Sequence, residues 1–237
     1  MPVGILVNAS CILVGGLIGG AVGHHIPEQI RKSMMLVFGI AAMGLAITLV
    51  MKYHSIPVVV LSLLIGTIIG EFLNLEKRIG SLCDLLRRKL TKTNAETGAQ
   101  QDNFMDRFLA VLALFCFSGT GIFGSLNEGM TGDPTVMITK GILDFFTALI
   151  FAASLGYLVA FISFPQCAIF CGLFFCASFI IPLTTPEMLG DFSAVGGLTT
   201  LAVGLRIAEI KPFKVLNMLP SFVIALPLSA LWTLIFP

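Results

Sequence analysis

Hydrophobic positions fall in long runs without alternation, separated by short polar breaks. They cover approximately Val3 to Val22, Met34 to Met51, Ile56 to Leu75, Phe108 to Leu126, Ile138 to Phe161, Pro165 to Leu183, Phe192 to Ile210 and Val215 to Phe236. About 20 mostly apolar residues carry a helix across about 30 Å of hydrocarbon, whereas the strands of a membrane β-barrel alternate over segments of about 10. The pattern therefore predicts an all-α, polytopic membrane helix bundle of about eight spans. The first run is as long as a full span and lacks a basic n-region, so it reads as a membrane helix and not a cleaved leader. Composition agrees: 57% hydrophobic and 11% charged residues, against about 45–50% and about 25% in a soluble domain.

Charge then gives orientation. The connection from Glu76 to Arg107 holds Lys77, Arg78, Arg87, Arg88, Lys89, Lys92 and Arg107. If it is cytoplasmic, Arg31 and Lys32 fall on the same side, as do Arg206, Lys211 and Lys214, leaving only Lys52 and Lys140 on the outer half. The outer connections carry Glu128, Asp133, Glu187 and Asp191, as the positive-inside rule expects, and both termini are predicted to face outward. Net charge is only +1, which argues against a nucleic-acid partner. Leu75, Ile79, Leu82, Leu86 and Leu90 recur at helical spacing opposite basic residues, the pattern of an amphipathic helix on an anionic leaflet or of a solvated extension of the third span. Residues 91–103 are polar and read as a linker.

The chain also resembles itself. "HIPEQI" at 25–30 is similar to "TTPEML" at 184–189, and "MGLAI" at 43–47 to "VGLRI" at 203–207. The matches place spans one to three over spans six to eight, with 57–70 over 217–229. Copies five spans apart cross the membrane in opposite senses, as in inverted-repeat transporters. Arg31 and Lys32 align with Gly190 and Asp191, so charge reverses with direction. The resulting organisation is 1–75 as one membrane repeat, 76–107 as a basic cytoplasmic segment, 108–163 as two central spans and 164–237 as the second repeat.

Candidate chemistry is sparse. In span four Gly119, Thr120, Gly121 and Gly124 precede Asn127 and Glu128. They predict either a broken helix or re-entrant loop offering backbone groups to a solute, or a glycine-packed helix ending in an external loop. Asp144 lies in an otherwise apolar run with Lys140 one turn before it on the same face, an i, i+4 ion pair. A carboxylate at depth pairs, or binds a cation or proton. Glu71 closes span three beside Asn74. Asn8 in span one and Asn217 at the start of span eight bridge helices or line a path. Arg206 and Glu209 suggest an interfacial pair or a gate, or an arginine snorkelling at a helix end. Cys167, Cys171 and Cys176 lie along one apolar helix and read as small hydrophobes. His24, His25 and His54 have no third ligand at metal spacing, so neither a metal nor a cofactor is expected.

The stretches "GILVNASCILVGGLIGG", "IGTIIGEFLNLE", "FGSLNEGMTGD", "KGILDFFTALIFAASLG" and "GLRIAEIKPFKVLNMLPSFVIALP" resemble the YqgA/YdfK-like bacterial inner-membrane family, the domain of unknown function 554. The resemblance runs through nearly the whole chain and implies a multi-pass protein of the bacterial inner (cytoplasmic) membrane, its outward termini periplasmic. It brings no substrate or catalytic residue.

Two functions stand at this point. The first is a transporter or channel for a small solute or ion. In it the break at 119–124 presents backbone groups, Asn127 and Glu128 form the outer approach, and Asp144 couples or selects. The alternative is a non-transporting scaffold or regulatory protein docking through the basic 76–107 connection. An enzyme is not expected, because no nucleophile–base set or paired carboxylates occur at useful spacing. The expected partners are the lipid bilayer and a small solute or ion. Glycine-lined helices such as "GGLIGG" at 15–20 suit close contact within one chain or in a homodimer.

Overall fold

A computed structural model describes residues 1–23, 27–81, 99–180 and 183–235. Arg87, Arg88, Lys89, Lys92, His24, His25 and the side chain of Arg31 lie outside this description, as does most of the amphipathic segment; residues 75–81 of that segment are helical. The elements are α1 (Val3–Val22), α2 (Glu28–Val50), α3 (Ile56–Leu73), α4 (Ala99–Phe117), α5 (Gly119–Thr131), α6 (Thr135–Leu155), α7 (Leu158–Phe161), α8 (Ser163–Ile180), α9 (Pro186–Ile207), a 3-10 turn (Val215–Met218) and α10 (Pro220–Ile235).

Among the described residues seven helical stretches are long and apolar enough to cross a membrane, and a bent pair makes an eighth. α1 has 20 residues, about 30 Å at about 1.5 Å per residue. Phe72, Val223 and Leu234 stand 83%, 76% and 80% exposed. Apolar surface on that scale is stable against lipid and would be a liability in water.

Local chemistry sets the ends. α3 begins from an extended Ser55 with Pro57 in its first turn, and ends at Asn74 in the left-handed region (φ 50°). In α9, Thr185 caps the first turn with its hydroxyl, which accepts from Met188 N–H, and Pro186 follows. Its far end closes with Ile210 N–H donating to the Leu205 carbonyl at 3.0 Å and Glu209 N–H to that of Arg206 at 3.0 Å, a Schellman closure. There Glu209 takes the positive φ (56°) that glycine usually supplies.

Four expectations are corrected. Span five ends at Leu155 and not Phe161, because Gly156 adopts φ 73° and turns the chain, so that 158–161 lead into the next span. Asp191 lies inside α9 and not in a connection, since the Thr185 cap and Pro186 start the helix earlier than hydropathy does. Glu128 lies within α5, because helix continues to Thr131 before Gly132 stops it at φ 74°. Residues 99–103 belong to α4 and not to the linker.

Small residues bring the helices into contact. α1 runs parallel to α6: a methyl added at Gly15 or Gly19 would land on the Phe145 or Leu149 carbonyl, and at Gly23 on the backbone of Ala153. The glycine face of α1 is thus filled from within the chain. α2 runs antiparallel to α9, Gly39 facing Gly204 and Ala46 facing Gly197. α3 runs antiparallel to the 3-10 turn and α10, Gly70 against Asn217 and Gly66 against Ser221. α5 lies parallel to α8, with Gly121 against Phe170 and Gly129 against the Phe174 carbonyl. Phe115, Phe151 and Leu216 fill one core cluster; Ile5, Met137 and Phe170 fill another.

Candidate functional site

The break between α4 and α5 is made by Ser118. Its backbone is extended (φ −68°, ψ 137°) and its hydroxyl accepts the Gly121 N–H at 3.2 Å. Capping satisfies one of the amides that a helix start leaves bare. The span bends further along, at residue 123, where segments 107–122 and 124–130 are inclined 41° to each other. Gly119 and Gly121 form the first turn of α5. A methyl on Gly121 would stand 2.9 Å from Lys140 Cε, so the glycine leaves the lysine stem its path.

Lys140 and Asp144, each 7% exposed, form the expected i, i+4 ion pair on α6. Asn8 of α1 donates its Nδ2 to Asp144 Oδ2 at 2.8 Å, and Gln166 of α8 donates to Asn8 Oδ1. A chain of side-chain hydrogen bonds thereby links three helices to one carboxylate. Such a network suits a charge kept in a low-dielectric interior, where an unpaired ion costs several kcal/mol.

One helical turn toward the α1 N-terminus lies Glu128, 1% exposed. Its Oε1 accepts Gly4 N–H at 2.7 Å, placing a carboxylate on the positive end of α1. Its Oε2 and the Oε1 of Gln166 are buried with no hydrogen-bond partner among the described residues. Glu128 therefore caps a helix and does not line an exposed approach; Asn127 beside it is half-buried.

A cavity of about 470 Å³ reaches the pair. Along α6 its wall runs Thr135, Thr139, Lys140, Asp144, Thr147, a stripe at helical spacing that is exposed at its start, buried at the ion pair and half-buried at Thr147. Ser118 and Thr120 face it from the break, Thr200 from α9, and Phe38, Ala42 and Leu49 from α2. Asp133, at the exposed entry to α6, accepts the hydroxyl and the N–H of Thr135, which hold its carboxyl below the usual range.

The remaining sequence candidates lie elsewhere. Glu71 pairs with Lys214 at 3.0 Å at the opposite end of the bundle, both well exposed. Asn217 is buried in the 3-10 turn, where its Oδ1 accepts Glu76 N–H at 2.8 Å. Arg206 pairs with Glu76 at 2.7 Å, and Glu209 pairs with Arg107, so the expected Arg206–Glu209 pair is replaced by two pairs that join different segments. Glu76, Arg206 and Asn217 line a smaller cavity of about 230 Å³ together with Asn74, Lys77 and Lys214. At the α1 end, Asp191 is fully buried. Its carboxylate accepts His54 N–H at 2.8 Å, Ser55 N–H at 2.7 Å and the Ser229 hydroxyl at 2.7 Å.

Sequence reasoning passed over Gln166, Glu76 and the capping role of Asp191. Gln166 had one available signal, an amide within the apolar run of span six; Asp191 had none, because it sat near a polar connection. Among the described residues no three His, Cys, Asp or Glu side chains converge as a metal site. Cys167 and Cys171 are neighbours, their Sγ atoms 3.9 Å apart.

Apolar helices of spanning length, glycine-mediated contacts and buried charges held by ion pairs or by backbone amides define a multi-pass α-helical membrane protein. Residues 3–230 match the family described as "Protein of unknown function (DUF554)", and the chain belongs to that family. It is 48% identical over 233 residues to the "Uncharacterized protein YqgA" of Escherichia coli (strain K12), with 98% of each chain covered. It is 29% identical over 225 residues to the "Uncharacterized membrane protein YdfK" of Bacillus subtilis (strain 168), with 93% of each covered. No solved structure matches the chain.

Proposed function

We propose that the chain is a transporter or channel for a small solute or ion in the bacterial inner membrane, built from two inverted three-helix units around the central spans. One observation carries this reading: the cavity of about 470 Å³ whose wall holds the buried Lys140–Asp144 pair and, opposite it, Ser118 and Thr120 at a break in a spanning helix. Charges and interrupted backbone at depth are costly in lipid and are kept where they face a path or a site.

The packing supports an inverted repeat. An offset near 160 carries α1, α2 and α3 onto α8, α9 and α10. Related helices then cross antiparallel, α2 with α9 and α3 with α10, while the parallel pair of α1 with α6 has its counterpart in α8 with α5. Lys77, Arg107, Arg206 and Lys214 gather at the end away from the α1 N-terminus, which favours a cytoplasmic assignment for that end and periplasmic termini.

The test is uptake into proteoliposomes of a panel of radiolabelled leucine, lysine, glutamate, phosphate and sodium ion. The wild-type chain is expected to carry at least one above protein-free vesicles, and Asp144→Asn to lose that flux while still inserting and eluting as a folded protein. Flux untouched by Asp144→Asn, or protein-dependent flux of none, would count against the reading.

A further inference from the structure

We propose that the cavity receives a small zwitterion with an apolar body, the chemistry of an apolar α-amino acid. This rests on the transport reading and names its substrate class.

The cavity wall presents one ammonium and one carboxylate, Lys140 and Asp144, paired with each other. A solute carrying only negative charge would bring a second anion toward Asp144, and a purely cationic one would meet Lys140. An uncharged solute offers neither group a counter-ion. A zwitterion exchanges partners instead: its ammonium takes Asp144, its carboxylate takes Lys140, and one ion pair becomes two without net charge entering the interior. Pairing by charged hydrogen bonds is what makes buried ions tolerable.

The site is arranged for such an exchange. Asn8 holds Asp144 Oδ2 at 2.8 Å independently of Lys140, so the carboxylate keeps an anchor when the lysine leaves. Both charges come from one helix face, so parting them needs side-chain rotation and no helix movement. Lys140 passes beside Gly121, and the hydroxyl-bearing Ser118 and Thr120 line the same cavity, where they offer further polar groups to the solute carboxylate. The rest of the lining is largely apolar, with Phe38, Ala41, Leu114 and the partly exposed Leu143 and Phe146 beside Thr200. A volume of about 470 Å³ lies within the range of about 300–1,000 Å³ typical of small-molecule sites and leaves room for a large side chain beyond the charged head.

Saturable binding to the purified full-length chain in nanodiscs tests this, using radiolabelled leucine and phenylalanine with unlabelled competitors. Leucine is expected to compete at least tenfold better than N-acetyl-leucine, which lacks the ammonium, leucinamide, which lacks the carboxylate, and glutamate or lysine, which add a charge. Asp144→Asn and Lys140→Gln should each abolish saturable binding, and Lys52→Gln should leave it unchanged. Ala41→Trp, which fills the cavity and keeps both charges, should also abolish it and so separates occupancy of the cavity from damage to the ion pair. Equal competition by the acetylated or amidated forms, or binding that survives Ala41→Trp, overturns the inference. Asp144-dependent flux of another panel solute without leucine binding overturns it while sparing the transport reading; absence of any Asp144-dependent flux overturns that reading itself.

Discussion

Removing Lys140 alone is the sharpest test of how the interior holds its charge. In Lys140→Met the Asp144 carboxylate keeps a neutral donor, Asn8 Nδ2 at 2.8 Å, and loses its counter-ion among the described residues. The two side chains are 8% and 10% exposed, so water screens little. Breaking a buried pair from one side costs about 3–5 kcal/mol. Because the Asn8 bond survives, we expect the lower end, about 3 kcal/mol, or more than a hundredfold in the folding equilibrium at about 1.4 kcal/mol per decade. Asp144→Leu should cost less, about 1–2 kcal/mol, since a lysine near the start of α6 can extend its ammonium toward the exposed Thr135 end. Replacing both removes the uncompensated ion and should return stability to within about 1 kcal/mol of wild type. The assay is reversible unfolding in mixed micelles of rising SDS fraction, followed by helical circular dichroism and analysed as a double-mutant cycle. Additive single effects, or a Lys140→Met chain within about 1 kcal/mol of wild type, would refute the view that the two charges are coupled in a low-dielectric interior.

Three further outcomes follow from packing and capping. Gly19→Val drives a branched side chain into the Leu149 carbonyl and should prevent folded protein from accumulating, whereas Gly44→Ala meets nothing within 4 Å and should stabilise α2 by about 0.5–1 kcal/mol, read from the same unfolding curves. Asp191→Ala strips acceptors from two backbone amides and the Ser229 hydroxyl and should cost about 2–4 kcal/mol, while Asp191→Asn, which keeps one oxygen, should cost about half as much. At Glu209, with φ 56°, Glu209→Gly should exceed Glu209→Ala in stability by about 1 kcal/mol, both variants having lost the Arg107 pair equally; equal stabilities would show the turn unstrained.

Much of the fold was legible in the hydropathy pattern, since span length is fixed by the bilayer and not by tertiary contacts. α1 has the expected limits because an apolar run and a helix coincide there. The limits slipped where polar helix starts or single glycines decide. α9 begins at Pro186 because Thr185 caps it, although Glu187, Gly190 and Asp191 make its first turns look like a loop. Gly156 ends α6 inside a stretch that hydropathy treats as continuous, because a positive φ at one glycine turns the chain without any change in apolarity.

The site divides along the same line. The Lys140–Asp144 pair was readable because both residues lie on one helix, where i, i+4 spacing fixes contact in advance. Their other partners come from 136 and 158 positions apart, Asn8 to Asp144 and Gln166 to Asn8, and local spacing carries no information about those. Glu128 shows how the two kinds of knowledge diverge. Its neighbours Asn127, Gly129 and Gly132 read as an outer loop, yet the glycines serve close packing against α8 and a helix stop, and the carboxylate turns inward to cap α1 at Gly4. In a membrane bundle a polar residue's role is therefore set by which helix end or opposing amide it reaches. That depends on how the glycine faces pair the helices: once α1 lies along α6 at Gly15 and Gly19, Asn8 falls beside Asp144, and the interior network follows from the register of that contact.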